Sequence, residues 1–141
     1  MLITRESDYA LRILSALSSG EQFTTEELCT KEYTPQQFGY KILKKLSKGG
    51  LITITRGNGG GCRLCCDLKQ VSLYDLLKIM DEDYRVSACM SSDFTCLRRQ
   101  GNSNHCTIHD NLSIIQEAIN HELQRHSLYE ILGHTLTQET L

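Results

Sequence analysis

Apolar side chains recur at helical spacing along the first third of the chain. One stripe lies on a segment that ends before Gly20 and consists of Ala10, Ile13, Leu14 and Leu17. Positions i, i+3, i+4 and i+7 share one side of an α-helix, so this stripe predicts an amphipathic helix with a buried face. A second, shorter helix is predicted to begin at Thr24, because Glu27 follows at the spacing of a capping box.

A third helix is predicted between Thr34 and Gly49. Thr34 is a capping residue followed by Pro35, which favours the first helical position, and Gly49-Gly50 ends the pattern. The inward face consists of Phe38, Ile42 and Leu46. The outward face is polar and basic, and it carries Gln37, Tyr40, Lys41, Lys44 and Lys48.

The periodicity changes immediately after this helix. Residues 51–55 alternate and are rich in Ile and Thr, which predicts a β-strand. Residues 57–61 are mostly glycine and supply the freedom to turn, so residues 62–66 can return as a second strand. Helices followed by such a hairpin predict a winged helix-turn-helix, a mainly α fold with a small β-hairpin wing.

The pattern of apolar and capping residues predicts helices in the second half of the chain. Ser72 is predicted to cap a helix with an apolar face, and a longer helix is predicted from about Cys106 to His126. The long helix carries a seam of apolar residues, namely Ile108, Leu112, Ile115, Ile119 and Leu123. A seam of this kind on a helix appended to a winged helix predicts a homodimer interface, because major-groove readers commonly pair two half-sites. The alternative is a helix that packs on its own domain.

Charge is distributed unevenly between the two halves. Residues 33–66 contain no Asp or Glu but carry six Lys and Arg side chains. Residues 1–66 have a net charge of +3 and residues 67–141 a net charge of −5, although the whole chain is only slightly acidic at −2. Clustered cations without nearby carboxylates are typical of surfaces that neutralise DNA phosphates. We therefore expect a DNA-binding domain at 1–66, and a sensor loop with a helical dimerisation region at 67–141.

Composition narrows the cellular setting. The 141 residues include seven cysteines and a single proline, and no apolar run is long enough to span a membrane. The N-terminal residues are charged too early for a signal peptide, which predicts a cytoplasmic protein. An odd number of cysteines in that compartment favours metal ligation, thiol chemistry or burial over disulfides.

Several short motifs span nearly the whole chain, namely Thr4 with residues 8–12, residues 48–52, the Arg-Gly-x-Gly-Gly-Gly wing at 56–61, residues 71–76 and Ser127-Leu128. In kind and in order these motifs resemble the Rrf-two family of bacterial winged-helix regulators, which includes iron–sulfur and nitric-oxide sensors and a repressor of cysteine metabolism. The resemblance implies a homodimeric transcription factor on double-stranded DNA. The residues expected to contact DNA are Gln36, Gln37, Tyr40, Lys41, Lys44, Lys48, Arg56, Asn58 and Gly59.

Three cysteines, Cys89, Cys96 and Cys106, lie in a segment rich in Ser, Asn and Gly. Thiolates are the preferred ligands of iron–sulfur clusters, and a polar loop is an unfavourable place to bury cysteines as small hydrophobic residues. Cluster-binding members of the family carry three cysteines in the same place, so the resemblance implies a 2Fe-2S or 4Fe-4S cluster. Cys106 would begin a helix, where the macrodipole favours an anion.

The fourth ligand is left open among three residues. His109 follows Cys106 by one helical turn, so the two side chains could converge. Asp8 matches a position where some nitric-oxide-sensing members use a carboxylate, and His105 lies within the same loop. Two other interpretations are at least as good as a ligand role. Asp8 can be a favourable charge at a helix N-terminus, and His109 can be a solvated helix residue.

Other chemistries have weaker support. The glycines at 59–61 lack the Gly-Lys-Ser/Thr ending and the following helix of a phosphate-binding loop, so we expect no nucleotide. Cys62 and Cys65 have the spacing of a zinc knuckle but would lie on opposite faces of a strand. No catalytic constellation suggests an enzyme. Two alternatives to a cluster sensor stay open: a metal-free regulator that responds to a thiol metabolite or partner protein, and a zinc-stabilised winged-helix interaction module.

Overall fold

The computed structural model describes residues 1–134. The chain is mostly helical, with one two-stranded antiparallel sheet in the described part. The first half contains α1 (Arg5–Leu17), α2 (Thr25–Lys31), α3 (Gln36–Lys48), β1 (Ile52–Thr55) and β2 (Gly61–Leu64). The second half contains α4 (Leu73–Ile79), a 3-10 turn (Ala88–Met90), α5 (Leu97–Gly101), α6 (Thr107–Arg125) and α7 (Leu128–Ile131).

The core lies between the first three helices and is closed by the sheet and α4. All four residues of the predicted stripe on α1 are completely buried, as are the inward residues of α2 and α3, namely Leu28, Ile42 and Leu46. Each of these buried Ile and Leu side chains stabilises the fold by about 1.5–3 kcal/mol relative to an exposed one. Gly39 permits the close approach of α2 and α3, because a Cβ there would overlap Sγ of Cys29.

Side chains cap the starts of α1, α2, α4 and α7, whereas α3, α5 and α6 begin without a side-chain cap. Thr24 and Glu27 form the predicted capping box at the start of α2, with hydrogen bonds of 3.2 and 2.7 Å. The prediction for α3 was wrong by one residue, since the helix begins at Gln36 and has no side-chain cap. Thr34 is buried instead, and the carbonyl of Pro35 accepts the first helical hydrogen bonds.

The wing is anchored to the loop between α1 and α2. β1 and β2 pair from Ile52 opposite Leu64 to Thr55 opposite Gly61. Phe23 adds a short third partner to β2, because its amide and carbonyl both bond to the backbone of Cys62, at 3.1 and 2.6 Å. Gly61 is required there, since a Cβ would lie 2.7 Å from the carbonyl oxygen of Phe23. The predicted winged helix-turn-helix is confirmed.

The second half joins the same core rather than forming another. Leu76, Met80 and Leu128 are buried within the cluster that includes the residues of α1 and α3. A bridge between Ser72 and Ser127 ties the start of α4 to the end of α6. The predicted division at residue 66 therefore does not separate two hydrophobic cores, and a division of function at that point stays a prediction.

The long helix is present, but the predicted seam is divided between two environments. Leu123 is buried against the chain's own core and Leu112 and Ile119 are half-buried. Ile108 and Ile115 are exposed, at 55% and 51% of their surface. The alternative of a helix packed on its own domain therefore holds for the C-terminal end, which packs on α4. The N-terminal half leaves apolar side chains in solvent, and the homodimer interface stays a prediction. Within residues 1–134, no helix is long and apolar enough to cross a membrane.

Candidate functional site

The outward face of α3 is the first candidate site. The structure places every predicted contact residue of this helix at the surface, namely Gln36, Gln37, Tyr40, Lys41, Lys44 and Lys48. The inward residues pack against α1 and α2, which holds this face outward. Tyr40 is 59% exposed, so an aromatic side chain stands among the cations. The arrangement suits insertion into a groove lined by phosphates.

Residues 33–66 contain no Asp or Glu, but the fold brings the carboxylate of Glu6 next to two of their lysines. Glu6, on α1, lies 2.8 Å from Nζ of Lys41 and 3.6 Å from Nζ of Lys45. The hydrogen bond from Lys41 is the main reason that the pKa of the Glu6 carboxyl is lowered. Sequence reasoning missed this contact, because Glu6 lies outside residues 33–66 and is brought there by the packing of α1 on α3.

The wing tip is the second part of this surface. Arg56, Asn58 and Gly59 are all exposed. The side-chain amide of Gln22 donates to the carbonyl of Gly59 at 2.6 Å and so restrains the tip. Gln22 was not among the predicted residues, and its position beside the anchoring residue Phe23 explains how it reaches the wing.

The second candidate site is a cavity between α5 and α6 with a volume of about 560 Å³. All three predicted cysteine ligands and His109 line it. Two arginines, Arg98 and Arg99, also line it, and in the described part of the chain no Asp or Glu does. The cavity is therefore basic although the surrounding half of the chain is acidic.

Cys106 is placed to carry negative charge. It occupies the N-cap position of α6. The backbone N–H of His109 contributes most to lowering the pKa of the Cys106 thiol, with further contributions from the N–H of Ile108 and from Arg98. Such a cap favours an anion for the same reason that helix N-termini do in general.

His109 has an incomplete set of partners. Its Nε2 lies 3.5 Å from Nη1 of Arg99, whereas its Nδ1 is buried without a hydrogen-bond partner. Arg99 can only donate, so this contact places the lone pair on Nε2 and the hydrogen on Nδ1, and ligation through Nδ1 would require the other tautomer. Three thiols and an imidazole are nevertheless ligand types that iron–sulfur clusters accept. The donor set therefore fits an iron–sulfur cluster in chemical type. In residues 1–134, however, no three His, Cys, Asp or Glu side chains are close enough together to hold a metal ion.

The other proposed fourth ligands lie elsewhere. Asp8 is on α1, where it pairs with Arg12 at 2.8 Å, and it does not line the cavity. His105 is mostly exposed, lies 3.5 Å from Asp110 and also does not line the cavity. Of the three, the structure brings only His109 to the cysteines.

The remaining cysteines are dispersed. Cys29 and Cys62 are buried and Cys66 is half-buried, and burial raises the pKa of each thiol. Cys65 is exposed and follows the end of β2, which is shorter than the predicted strand at 62–66, whereas Cys62 is buried within β2.

A comparison with protein families decides the identity of the chain. The model of a family named Rrf2, described as iron-dependent transcriptional regulators, matches residues 3–134. The chain belongs to the Rrf2 family. This is the Rrf-two family of the sequence resemblance, and its members are transcriptional regulators rather than enzymes.

Individual Rrf2 relatives are distant. An HTH-type transcriptional regulator of Rhodobacter capsulatus, described as rrf2-like, is 32% identical over 96 residues, which cover 64% of this chain and 64% of the relative. The regulator NsrR of Bacillus subtilis is 24% identical over 96 residues, or 66% of each chain. The chain thus spans just under two thirds of the length of these relatives.

A solved structure extends the similarity to the whole fold. CymR, described as the global cysteine regulator of B. subtilis, has a TM-score of 0.66 at 15% identity, and the match covers 96% of this chain and 98% of CymR. At this identity the similarity shows the fold alone.

In this Rrf2 chain, the two candidate sites are joined by the loop between α4 and the 3-10 turn. Gln116 of α6 is buried, accepts from the amide of Val86 at 2.7 Å and donates to the carbonyl of Tyr84 at 3.2 Å. Glu82 accepts from Ser7 at 2.6 Å and from Thr4, the N-cap of α1. The loop is therefore bonded to α6 at one end and to α1 at the other.

The same loop also contacts α3, the recognition helix, which carries most of the predicted DNA-contact residues. Nζ of Lys45 donates to the carbonyl of Met80 at 3.0 Å and lies 3.9 Å from Asp81. Sequence reasoning did not identify the contacts of Gln116, Glu82 or Lys45, because each depends on a partner from another part of the fold.

Proposed function

We propose that the chain is a homodimeric DNA-binding regulator that senses redox, nitric-oxide or iron–sulfur status through a cluster held by Cys89, Cys96 and Cys106. The observation that carries this proposal is that the three thiols of this segment line one basic cavity together with His109. A cluster bound by thiolates is anionic, so Arg98, Arg99 and the start of α6 would stabilise it.

The α3 face and the wing support DNA binding. Lys44 and Lys48 would neutralise phosphates, while Gln37 and Tyr40 would reach base edges in the major groove. Arg56, Asn58 and Gly59 at the restrained wing tip would contact the adjacent backbone or minor groove.

The exposed half of the α6 seam supports dimerisation. Ile108, Ile114 and Ile115 are all more than half exposed on one helix. Single exposed apolar side chains are common, but three within eight residues form a patch of the kind that interfaces cover. A two-fold dimer would present two α3 helices to two half-sites.

The bonds of residues 80–86 support a route between the sites. A change in the cavity that moves α6 would alter the Gln116 contacts with residues 84 and 86. The same segment holds Thr4 and Ser7 through Glu82, and Lys45 through Met80. A change of cluster state would therefore bias the position of α1 and α3.

The test is anaerobic reconstitution with iron and sulfide, read by visible absorbance and by analysis of both elements. Single Ala substitutions at the three cysteines should each abolish the absorbance, whereas Cys65→Ala should leave it unchanged. His109→Ala should shift the spectrum or the lability, because three thiolates can hold a cluster while water fills the fourth position. Equal absorbance in the wild type and the triple variant would overturn the proposal.

A metal-free regulator that responds to a thiol metabolite is the second candidate. Its support is that the cysteines line an open basic cavity without converging as a metal site in the described residues. The related fold of CymR, described as a cysteine regulator, is compatible with it. Binding of cysteine or another small thiol to colourless protein, with a change in DNA affinity, would favour this candidate.

A further inference from the structure

A separate cavity lies where the C-terminal ends of α3 and α4 meet. Its volume is about 410 Å³ and it is lined by four lysines, Lys44, Lys45, Lys48 and Lys78, together with Gly49, Ile79 and Asp81. Three of these lysines come from the recognition helix. The fourth, Lys78, belongs to α4 and lies outside the basic stretch recognised in the sequence.

A close helix contact brings the lysines together. A Cβ added at Gly49 would lie 2.8 Å from Cγ1 and Cγ2 of Ile79, so only glycine lets the end of α3 rest on α4 at this distance. Lys48 immediately precedes this glycine and Lys78 immediately precedes the isoleucine. The backbone contact therefore places two cations from different helices around the same cavity.

The positive charge is poorly compensated. Among residues 1–134, Asp81 is the only carboxylate that lines the cavity, and its side chain is 83% exposed and 3.9 Å from Nζ of Lys45. Lys45 is already engaged by Glu6 and the carbonyl of Met80. Within residues 1–134, Lys44, Lys48 and Lys78 take part in no ion pair, although Lys78 lies over the ring of Tyr74.

The helix dipole explains part of this arrangement. Lys45 and Lys48 lie in the last turn of α3 and Lys78 in the last turn of α4, where cations are favourable. That effect acts on each helix separately and does not require the two ends to share a cavity. Like charges at i and i+4, such as Lys44 and Lys48, also repel each other, and a bound anion would relieve the repulsion.

We propose that this lysine cavity binds a phosphate group. Lysine ammonium groups recognise phosphate as point charges, and three of them without ion pairs around one opening form such a site. The phosphate can come from a DNA backbone that flanks the α3 contacts or from a free phosphorylated molecule. The first source rests on the proposed DNA-binding function, while the second does not.

The experiment uses the full chain with Lys78→Gln, the charge-retaining variant Lys78→Arg and the control Lys69→Gln. Lys69 is a matched control because it also lies over a tyrosine ring, that of Tyr129, but lines a different depression. Each variant is titrated with duplex DNA over a series of salt concentrations and, without DNA, with tripolyphosphate in a calorimeter. Thermal unfolding verifies that all variants are folded.

If the phosphate belongs to DNA, Lys78→Gln should weaken DNA binding about eightfold at 0.1 M salt. It should also lower the salt slope, the slope of log K against log salt concentration, by about one, since each phosphate contact contributes ~0.9. Lys78→Arg and Lys69→Gln should resemble the wild type. If the phosphate belongs to a free molecule, the wild type should bind tripolyphosphate, and of the three variants only Lys78→Gln should lose this binding.

The proposal fails if Lys78→Gln and Lys69→Gln are indistinguishable in both titrations. It also fails if the wild type does not bind tripolyphosphate and Lys78→Gln binds DNA normally. A wild type without any DNA affinity would overturn the proposed function, but the tripolyphosphate titration would still decide this inference.

Discussion

Glu6 lies within hydrogen-bonding distance of Lys41, so a carboxylate of α1 forms an ion pair with one of the cations on the outward face of α3. The pair is partly exposed, with Lys41 57% and Glu6 24% accessible, and its contribution to stability is therefore small, about 1 kcal/mol or less. Its larger consequence concerns DNA, because a lysine paired with a carboxylate must exchange partners before it contacts a phosphate.

Glu6→Gln should increase the affinity for DNA of any sequence and make its salt dependence steeper, because Lys41 is released. The slope of log K against log salt concentration should become steeper by about one unit or less. Fluorescence anisotropy over a salt series measures it, with Glu117→Gln, which removes an exposed carboxylate from α6, as a control. A decrease in affinity would indicate that Glu6 serves mainly to position Lys41.

The same pair makes stability depend on pH. The pKa of Glu6 is lowered in the folded state by Lys41, so its stabilisation is present above the unfolded-state pKa and is lost as the pH falls through the lowered folded-state value. Denaturation with urea at a series of acidic pH values should therefore show a smaller loss of stability for Glu6→Gln than for the wild type.

Residues on the α3 face should separate into two classes. Lys44→Ala should weaken binding to all sequences alike and reduce the salt slope by about one. Gln37→Ala or Tyr40→Ala should instead change base preference, by roughly 1–3 kcal/mol at one position. Selection from a randomised DNA library followed by titration measures both effects, and a uniform loss for all three variants would contradict the assignment.

The restraint on the wing should contribute to affinity without contacting DNA. Gln22→Ala removes the bond to Gly59, so the wing tip should become more mobile and DNA should dissociate faster. The expected loss is roughly 0.5–1.5 kcal/mol, the net value of one hydrogen bond. Gln124→Ala, an exposed substitution on α6, is the control, and stopped-flow dissociation is the measurement. Unchanged kinetics would show that the hairpin alone holds the wing.

The dimer interface should depend on the exposed part of the α6 seam. Ile108→Glu combined with Ile115→Glu should yield a folded monomer, since both side chains are exposed in the single chain but would bury unpaired charge in a dimer. Leu123→Ala should instead cost about 2–5 kcal/mol of stability and leave association intact, because Leu123 is buried within the chain. Sedimentation velocity distinguishes the two, and a double variant that remains dimeric would place the interface elsewhere.

Patterns along the chain predicted the winged helix, the stripe on α1 and the long helix, because these depend on local spacing and on capping residues such as Thr24. The cysteine cavity was predicted as a group of residues, but its arginines were not, since nothing in the spacing indicates which way α5 turns. Glu6, Gln22, Glu82 and Gln116 act across the fold. Their roles depend on contacts between residues up to 78 positions apart, which periodicity does not record.

Cys106 and the apolar patch occupy the same uninterrupted helix, whose 19 residues make a rod about 28 Å long. A rod pivoting at Leu123, where it is buried, acts as a lever. A tilt of about 10° would displace its Cys106 end by roughly 4 Å, given a rise of 1.5 Å per residue. If the partner chain rests on that end, a small adjustment around the cysteines becomes a change in the distance between two recognition helices, and binding to a fixed pair of half-sites is gained or lost.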